Sequence, residues 1–374
     1  MNKGIKTLLG IALTMMCGAS RAQISVAPSN DAILTEGRTI LKNDVRHYCY
    51  PGTGFTIHFS GKGDVSAKLK TNAGYYAVSI DGGSFSKFST HNRPEGIQDF
   101  KIASGLSSGE HTIKLMLVTE EYGRYPEFHG FSLSDNSAKI LKPDTKKRLK
   151  IEFIGNSITC GYGNEASCKE DHFADSTSNF AKSFAGLTIK NLNAISMVVA
   201  RSGIGIYKNY GDTITGSEWP MPRAYEKALL YDRETPWDFA SWKPDVVVVG
   251  LGTNDLSENN YSQEKFRVAY AEFIKNIRKH YPSAKIVLLN SPMLHYEQSG
   301  ELMIAITNTM NAIYATGDTK ISNFQFQELQ DDSQYGADWH PNAKFDAEMA
   351  RYFSHYIKTE VAKTFFKEKK GKED

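Results

Sequence analysis

Four short segments carry residue types suited to nucleophilic catalysis. Each follows an apolar run or opens the last helical pattern. Gly155-Asn156-Ser157-Ile158-Thr159-Cys160-Gly161-Tyr162-Gly163 places Ser157 just past a strand-like run, in a glycine-lined turn near a helix start. A hydroxyl presented there is positioned as a nucleophile. Arg201-Ser202-Gly203-Ile204-Gly205 follows a second run, and Gly203 lets a backbone N–H approach a ligand oxygen closely. Gly252-Thr253-Asn254-Asp255 follows a run of valines, and the Asn254 side-chain amide can donate to a developing oxyanion. Gly336-Ala337-Asp338-Trp339-His340-Pro341-Asn342 supplies His340 as a general base, with Asp338 close by to orient it. Taken singly, each segment also reads as an ordinary turn, loop or helix cap.

Such residues act together when a scaffold brings them to one edge. From residue 149 onward, short apolar strands are predicted at 149–154, 195–200, 244–250, 285–290 and 323–327. Helical patterns lie between and after them, at 179–193, 263–280, 301–315 and 342–358. This alternation predicts an α/β domain: a parallel sheet flanked by helices on both faces, with chemistry at the carboxyl ends of the strands. Residues 25–133 read differently. Runs such as Gly54-Phe55-Thr56-Ile57-His58-Phe59 and Tyr75-Tyr76-Ala77-Val78-Ser79-Ile80 alternate or are β-branched, and Asp81-Gly82-Gly83 and Ser108-Gly109-Glu110 are turn signals. They predict an N-terminal antiparallel β-sandwich of the jelly-roll kind. Lys142-Pro143-Asp144 and Lys146-Lys147-Arg148 read as a solvated linker.

A chain of 374 residues has the length of about two domains. Lys+Arg exceed Asp+Glu by 44 − 42 = 2, a balance that argues against a nucleic-acid partner. Lys3 and Lys6, the apolar run 8–16 and Ser20-Arg21-Ala22 form the pattern of a signal peptide cleaved after Ala22, so the protein is expected to be secreted or periplasmic. Met15 and Met16 suit a lipidated Cys17 poorly. No later stretch reads as a membrane span. Cys160 and Cys168 are spaced to close a small disulfide loop, or are free thiols, and no Cys-His spacing suggests zinc. Glu170-Asp171-His172 with Asp175 is either a cation-binding group or a solvated loop.

In order and spacing, the four segments resemble the sequence blocks of the SGNH (GDSL) hydrolases. The run from Gly155 to Glu165, with Ala337-Asp338-Trp339-His340-Pro341-Asn342, is more closely similar to carbohydrate esterase family two, whose members place a β-sandwich ahead of the SGNH domain. Behind the signal peptide read at 1–22, the resemblance implies a β-sandwich at 23–145 and an SGNH hydrolase domain at 146–374. It implies a serine carbohydrate esterase that removes O-acetyl groups from plant polysaccharides such as xylan or glucomannan through an acyl-enzyme. It also implies roles. Ser157 matches the nucleophile and His340 the base. The Ser157 N–H, the Gly203 N–H and the Asn254 side chain match the oxyanion hole. Trp339 matches an aromatic that faces the sugar, although a tryptophan is as readily a core residue. No metal or organic cofactor is implied. Two positions depart from the superfamily pattern. Asn156 stands where Asp is usual, and Ala337 stands at the usual place of the acid. That leaves either the Asp338 carboxylate, completing a triad, or a backbone carbonyl, leaving a Ser–His dyad, to orient His340. An unperturbed imidazole would let activity fall below a pH of about 6 to 7. The alternatives are a general SGNH esterase or lipase on non-carbohydrate esters, and a carbohydrate-binding protein with an inert hydrolase domain.

Overall fold

The computed structural model describes residues 23–121, 125–143, 148–230 and 232–370. The leader expected at 1–22 and the boundary expected between 145 and 146 lie outside the described residues. Within them, no helix is long and apolar enough to cross a membrane.

Alternating burial along Gly54–Lys70 and Ile97–Leu117 makes these two long strands the spine of the N-terminal unit. They pair antiparallel along most of their length, with register shifts between Gly61 and Ser66. A bulge bends the ladder there, and the sheet curls over on itself. Phe55, Phe59, Val65, Leu115, Phe128 and Phe131 fill the space enclosed. Among the described residues, the expected sandwich is thus one curled antiparallel sheet of ten strands, continuous through the two long strands.

The C-terminal unit is the expected parallel sheet. Its strands, in spatial order, are Ile195–Ala200, Lys150–Gly155, Val246–Gly250, Lys285–Leu289 and Ile321–Phe324. In chain order that is 2-1-3-4-5, a doubly wound arrangement whose switch point lies beside the first strand. The near-continuous apolar runs reflect burial on both faces. On one face Val247, Val249 and Ile286 meet Phe266, Phe273 and Ile277 of the Gln263–His280 helix. On the other, Phe153, Val248 and Val287 meet Phe184 of the Phe184–Leu192 helix and Phe353 of the Ala343–Tyr356 helix. The two units share these cores: Cys49 and Tyr50 join the first cluster, and Ala77, Met116 and Val118 the second.

Candidate active site

The Lys150–Gly155 strand ends in a turn that requires glycine, since a Cβ at Gly155 would lie 2.0 Å from the Thr159 hydroxyl. Asn156 then caps a short helix, Ser157–Cys160, by accepting the Ile158 N–H at 3.1 Å. Its amide donates to Thr253 Oγ1 at 3.1 Å, and that hydroxyl donates to Ser291 Oγ at 2.9 Å. An asparagine can both accept and donate here, so the departure at Asn156 is built into the turn. Ser157 is buried, and its N–H, in the first turn, has no acceptor within its own helix.

His340 Nε2 lies 2.8 Å from Ser157 Oγ. Its Nδ1 lies 3.0 Å from the Asp338 carbonyl and 3.2 Å from the Ala337 carbonyl. A carbonyl accepts and cannot donate, so Nδ1 carries the proton and Nε2 offers its lone pair to the serine. Tyr162 stacks on the imidazole with centroids 4.2 Å apart. Burial lowers the His340 pKa to about 4, against the opposing pull of the two carbonyls.

The structure corrects the carboxylate role expected of Asp338. Its Oδ2 accepts the Tyr162 hydroxyl at 2.7 Å and the Phe173 N–H at 3.0 Å, and its Oδ1 pairs with His172 Nδ1 at 3.1 Å. The reason is backbone conformation. Asp338 and Trp339 both have positive φ, 47° and 59°, which turns the carbonyls toward His340 and the Asp338 side chain away. Two successive non-glycine residues in this region store strain beside the site. Burial would raise the Asp338 carboxyl, but its bonds to Tyr162, His172 and the Phe173 N–H hold it below the usual range.

Gly203 and Asn254 arrive from the next loops. The Asn254 amide donates to the Ile204 carbonyl at 2.8 Å, which fixes its plane beside the serine. Gly203 has φ +76° and open space around it, so conformation rather than crowding demands glycine. Asp255 shapes the rest of the loop. Its buried carboxylate accepts the N–H groups of Ile206, Tyr207 and Lys208 at 2.8 to 3.0 Å. Ser157, Gly203, Asn254 and His340 line one cleft of about 480 Å³. Trp339 lies on its wall and is 53% exposed, so it is not a core residue. Tyr210, 63% exposed, is a second aromatic on that wall.

Cys160 and Cys168 are both free thiols, the first buried and the second exposed. The acidic segment is spent on loop bonds. Asp171 accepts the Ser167 and Cys168 N–H groups, and His172 meets Asp338. Among the described residues, Asp175 instead groups with His91 and Glu121, with ligand atoms within 4.8 Å. Tyr162, Tyr210 and Asp255 were not singled out from sequence. Asp255 and Tyr162 had a local signal, the first beside Asn254 and the second in the segment that carries Ser157.

Residues 151–353 match the family model of the GDSL-like lipases and acylhydrolases, and residues 35–143 match that of the carbohydrate esterase 2 N-terminal region. The class is therefore that of the carboxylic ester hydrolases with an SGNH domain. The chain is 33% identical over 345 residues to the cellulase/esterase CelE of Acetivibrio thermocellus, covering 91% of this chain and 41% of that protein. It is 30% identical over 315 residues to an acetylxylan esterase/glucomannan deacetylase of Cellvibrio japonicus, covering 81% of this chain and 82% of that one. A family two carbohydrate esterase from Clostridium thermocellum, solved in complex with cellohexaose, matches at a TM-score of 0.80. The match has 33% identity and covers 88% of this chain and 99% of that one. The chain belongs to carbohydrate esterase family two. It spans less than half the length of CelE and most of the length of the Cellvibrio protein.

Proposed function

We propose that this protein is an exported carbohydrate esterase that removes O-acetyl groups from plant polysaccharides such as xylan or glucomannan. The observation that carries the reading is the 2.8 Å contact of His340 Nε2 with Ser157 Oγ, inside a cleft shared with Gly203 and Asn254. In the proposed reaction, Ser157 Oγ attacks the acetyl carbonyl carbon while Nε2 takes its proton. The Ala337 and Asp338 carbonyls then face an imidazolium, which they stabilise. The Ser157 N–H, the Gly203 N–H and the Asn254 amide hold the oxyanion. As the intermediate collapses and its bond to the sugar oxygen breaks, the imidazolium gives that oxygen the proton, which frees the sugar hydroxyl and leaves an acetyl-serine. Water, activated by the same nitrogen, releases acetate and restores the serine. Every step uses groups of this chain, in a Ser–His dyad oriented by main-chain carbonyls.

Sugar as the substrate rests on Trp339 and Tyr210, two exposed rings on the cleft wall that offer flat apolar faces to a pyranose. The names of the relatives and the cellohexaose held by the Clostridium enzyme support the same class. The leader pattern at 1–22 supports export, and the units on either side of residue 145 are the proposed domains. Acetate release from acetylated xylan, acetylated glucomannan and a simple aryl acetate, with wild type and Ser157→Ala in parallel, tests the proposal. Release from a glycan that disappears in the variant is expected. Release from the aryl acetate alone would favour a general esterase. Glycan binding with no release at all would favour an inert binding protein.

A further inference from the structure

The N-terminal unit reaches the catalytic loops at a specific point. Past the Ile97–Leu117 strand, the Val118 carbonyl accepts the Phe180 N–H at 2.9 Å, and the Thr119 hydroxyl accepts the Tyr75 N–H at 3.0 Å. One bond goes to each unit, and together they deliver Glu120 to the loop after the Ile195–Ala200 strand. Glu120 Oε1 accepts the Ser202 N–H at 2.6 Å, and Oε2 accepts the Ser202 hydroxyl. Both residues are buried. The carboxylate also faces Cys160, in the short helix begun by Ser157. Burial, then the Glu120 charge and hydrogen bond, push that thiol well up. A carboxylate withdrawn from water is costly unless its bonds are well made, and here a bidentate clamp makes them.

What the clamp holds is the residue before Gly203. The far side of the same loop is fixed from within the hydrolase unit, by Asp255 on the Ile206, Tyr207 and Lys208 N–H groups and by Asn254 on the Ile204 carbonyl. The near side is fixed by Glu120. With Ser202 held at both its N–H and its hydroxyl, the peptide that carries the Gly203 N–H has its direction set. We propose that Glu120 is a positioning residue for the oxyanion hole, through which the N-terminal unit completes the esterase site. The inference rests on the esterase reading above and assigns a role to the unit that precedes the hydrolase domain.

The test uses the full chain and a small aryl acetate, so that KM reports little on glycan contacts. Glu120→Gln keeps the size and one acceptor but loses the symmetric clamp, and Ser202→Ala removes the hydroxyl arm while keeping the N–H. Loss of a whole oxyanion donor costs about a hundredfold or more in turnover, so a misaimed one should cost about tenfold or more in Glu120→Gln, with KM within about threefold. Ser202→Ala should fall in the same direction by less. Inactivation by an aryl phosphonate, which leaves a tetrahedral anion on Ser157, should slow in step with kcat. Lys87→Gln is the comparison for docking of the units, because Lys87 bonds Glu165 and the Ser176 and Ser178 carbonyls across the same interface. Its kcat should stay at the wild-type value. Equal loss in Lys87→Gln and Glu120→Gln would overturn the proposal in favour of general docking. So would wild-type kcat and phosphonate rates in a folded Glu120→Gln. If Glu120→Gln does not fold, the same readouts on Ser202→Ala decide. Ser157→Ala runs alongside: full activity there defeats the esterase reading itself, whereas its inactivity beside an active Glu120→Gln defeats the clamp alone.

Discussion

At the scale of single residues, the site turns on which oxygen faces His340 Nδ1. Two main-chain carbonyls do so, and the Asp338 carboxylate is bonded to Tyr162, Phe173 and His172 instead. Removing the acid of a Ser-His-Asp triad costs on the order of ten-thousandfold in turnover. Asp338→Asn leaves both carbonyls in place, so its kcat should stay within about tenfold of wild type. A ten-thousandfold loss would restore Asp338 as a triad acid. A pH–rate series on wild type reads the base. As the proposed base His340 must be neutral to accept the serine proton, and burial lowers its pKa to about 4. Lowering a base's pKa extends its neutral form toward acid. The acid limb of kcat/KM should therefore lie near that value, below the pH of about 6 to 7 expected of an unperturbed imidazole. An acid limb near 6.5 in wild type would show that the ring is solvated more than its packing against Tyr162 implies.

At the scale of elements, the loops after the first three parallel strands and the segment ahead of the Ala343–Tyr356 helix, which carries His340, bring the site together, and Asp255 is the keystone of the second of those loops. Three N–H groups point at its carboxylate, and burial raises its pKa against their pull. Asp255→Ala should strand those donors, each at about 1 to 3 kcal/mol, so a stability loss of at least about 2 kcal/mol in urea unfolding is expected. Turnover should fall with it, because the loop carries Gly203. An unchanged urea midpoint would mean that the loop holds without its anion. Much of this frame was legible in the residues. The predicted helix 263–280 and strand 195–200 coincide with the observed elements, because their apolar periods are strong and uninterrupted. The helix predicted at 179–193 instead breaks at Ser183, whose side chain caps the Gly186 N–H and starts Phe184–Leu192 afresh. The helix predicted from 301 begins at Tyr296, before its apolar face becomes periodic. Ser157, Gly203, Asn254 and His340 could be picked out as candidates because turn chemistry is local, and the structure brings the four to one cleft. The Glu120–Ser202 contact was not, because it joins residues 82 apart and leaves no local pattern. The orientation of Asp338 was hidden for another reason, since sequence does not show two consecutive positive φ angles.

At the scale of the molecule, the two units are fastened by a buried charge pair. Arg38, from the N-terminal unit, and Glu152, in the Lys150–Gly155 strand, are both fully buried and meet at 3.1 Å. Arg38 also donates to the Tyr225 and Lys227 carbonyls and lies over the Tyr225 and Trp237 rings at 4.6 and 4.9 Å. Burial raises the Glu152 carboxyl, and Arg38 works to lower it. Arg38→Met deletes the cationic partner and keeps much of the volume, leaving in the core a carboxylate that keeps its bond from the Tyr225 hydroxyl but no opposite charge. Breaking such a pair costs about 3 to 5 kcal/mol. The loss should also depend on pH with a definite sign. Without Arg38 the folded-state pKa of Glu152 rises further above its unfolded value. The folded variant then binds a proton that the unfolded chain has released, and stability falls as pH rises through that window. Urea unfolding should therefore show a larger deficit for Arg38→Met at pH 8 than at pH 5. Arg38→Met/Glu152→Gln, with no charge left to bury, should recover part of the loss and lose its pH dependence. A deficit equal at both pH values and unrelieved in the double variant would mean that Arg38 acts through its carbonyl bonds and ring contacts, with the Glu152 charge a bystander to the docking of the two units.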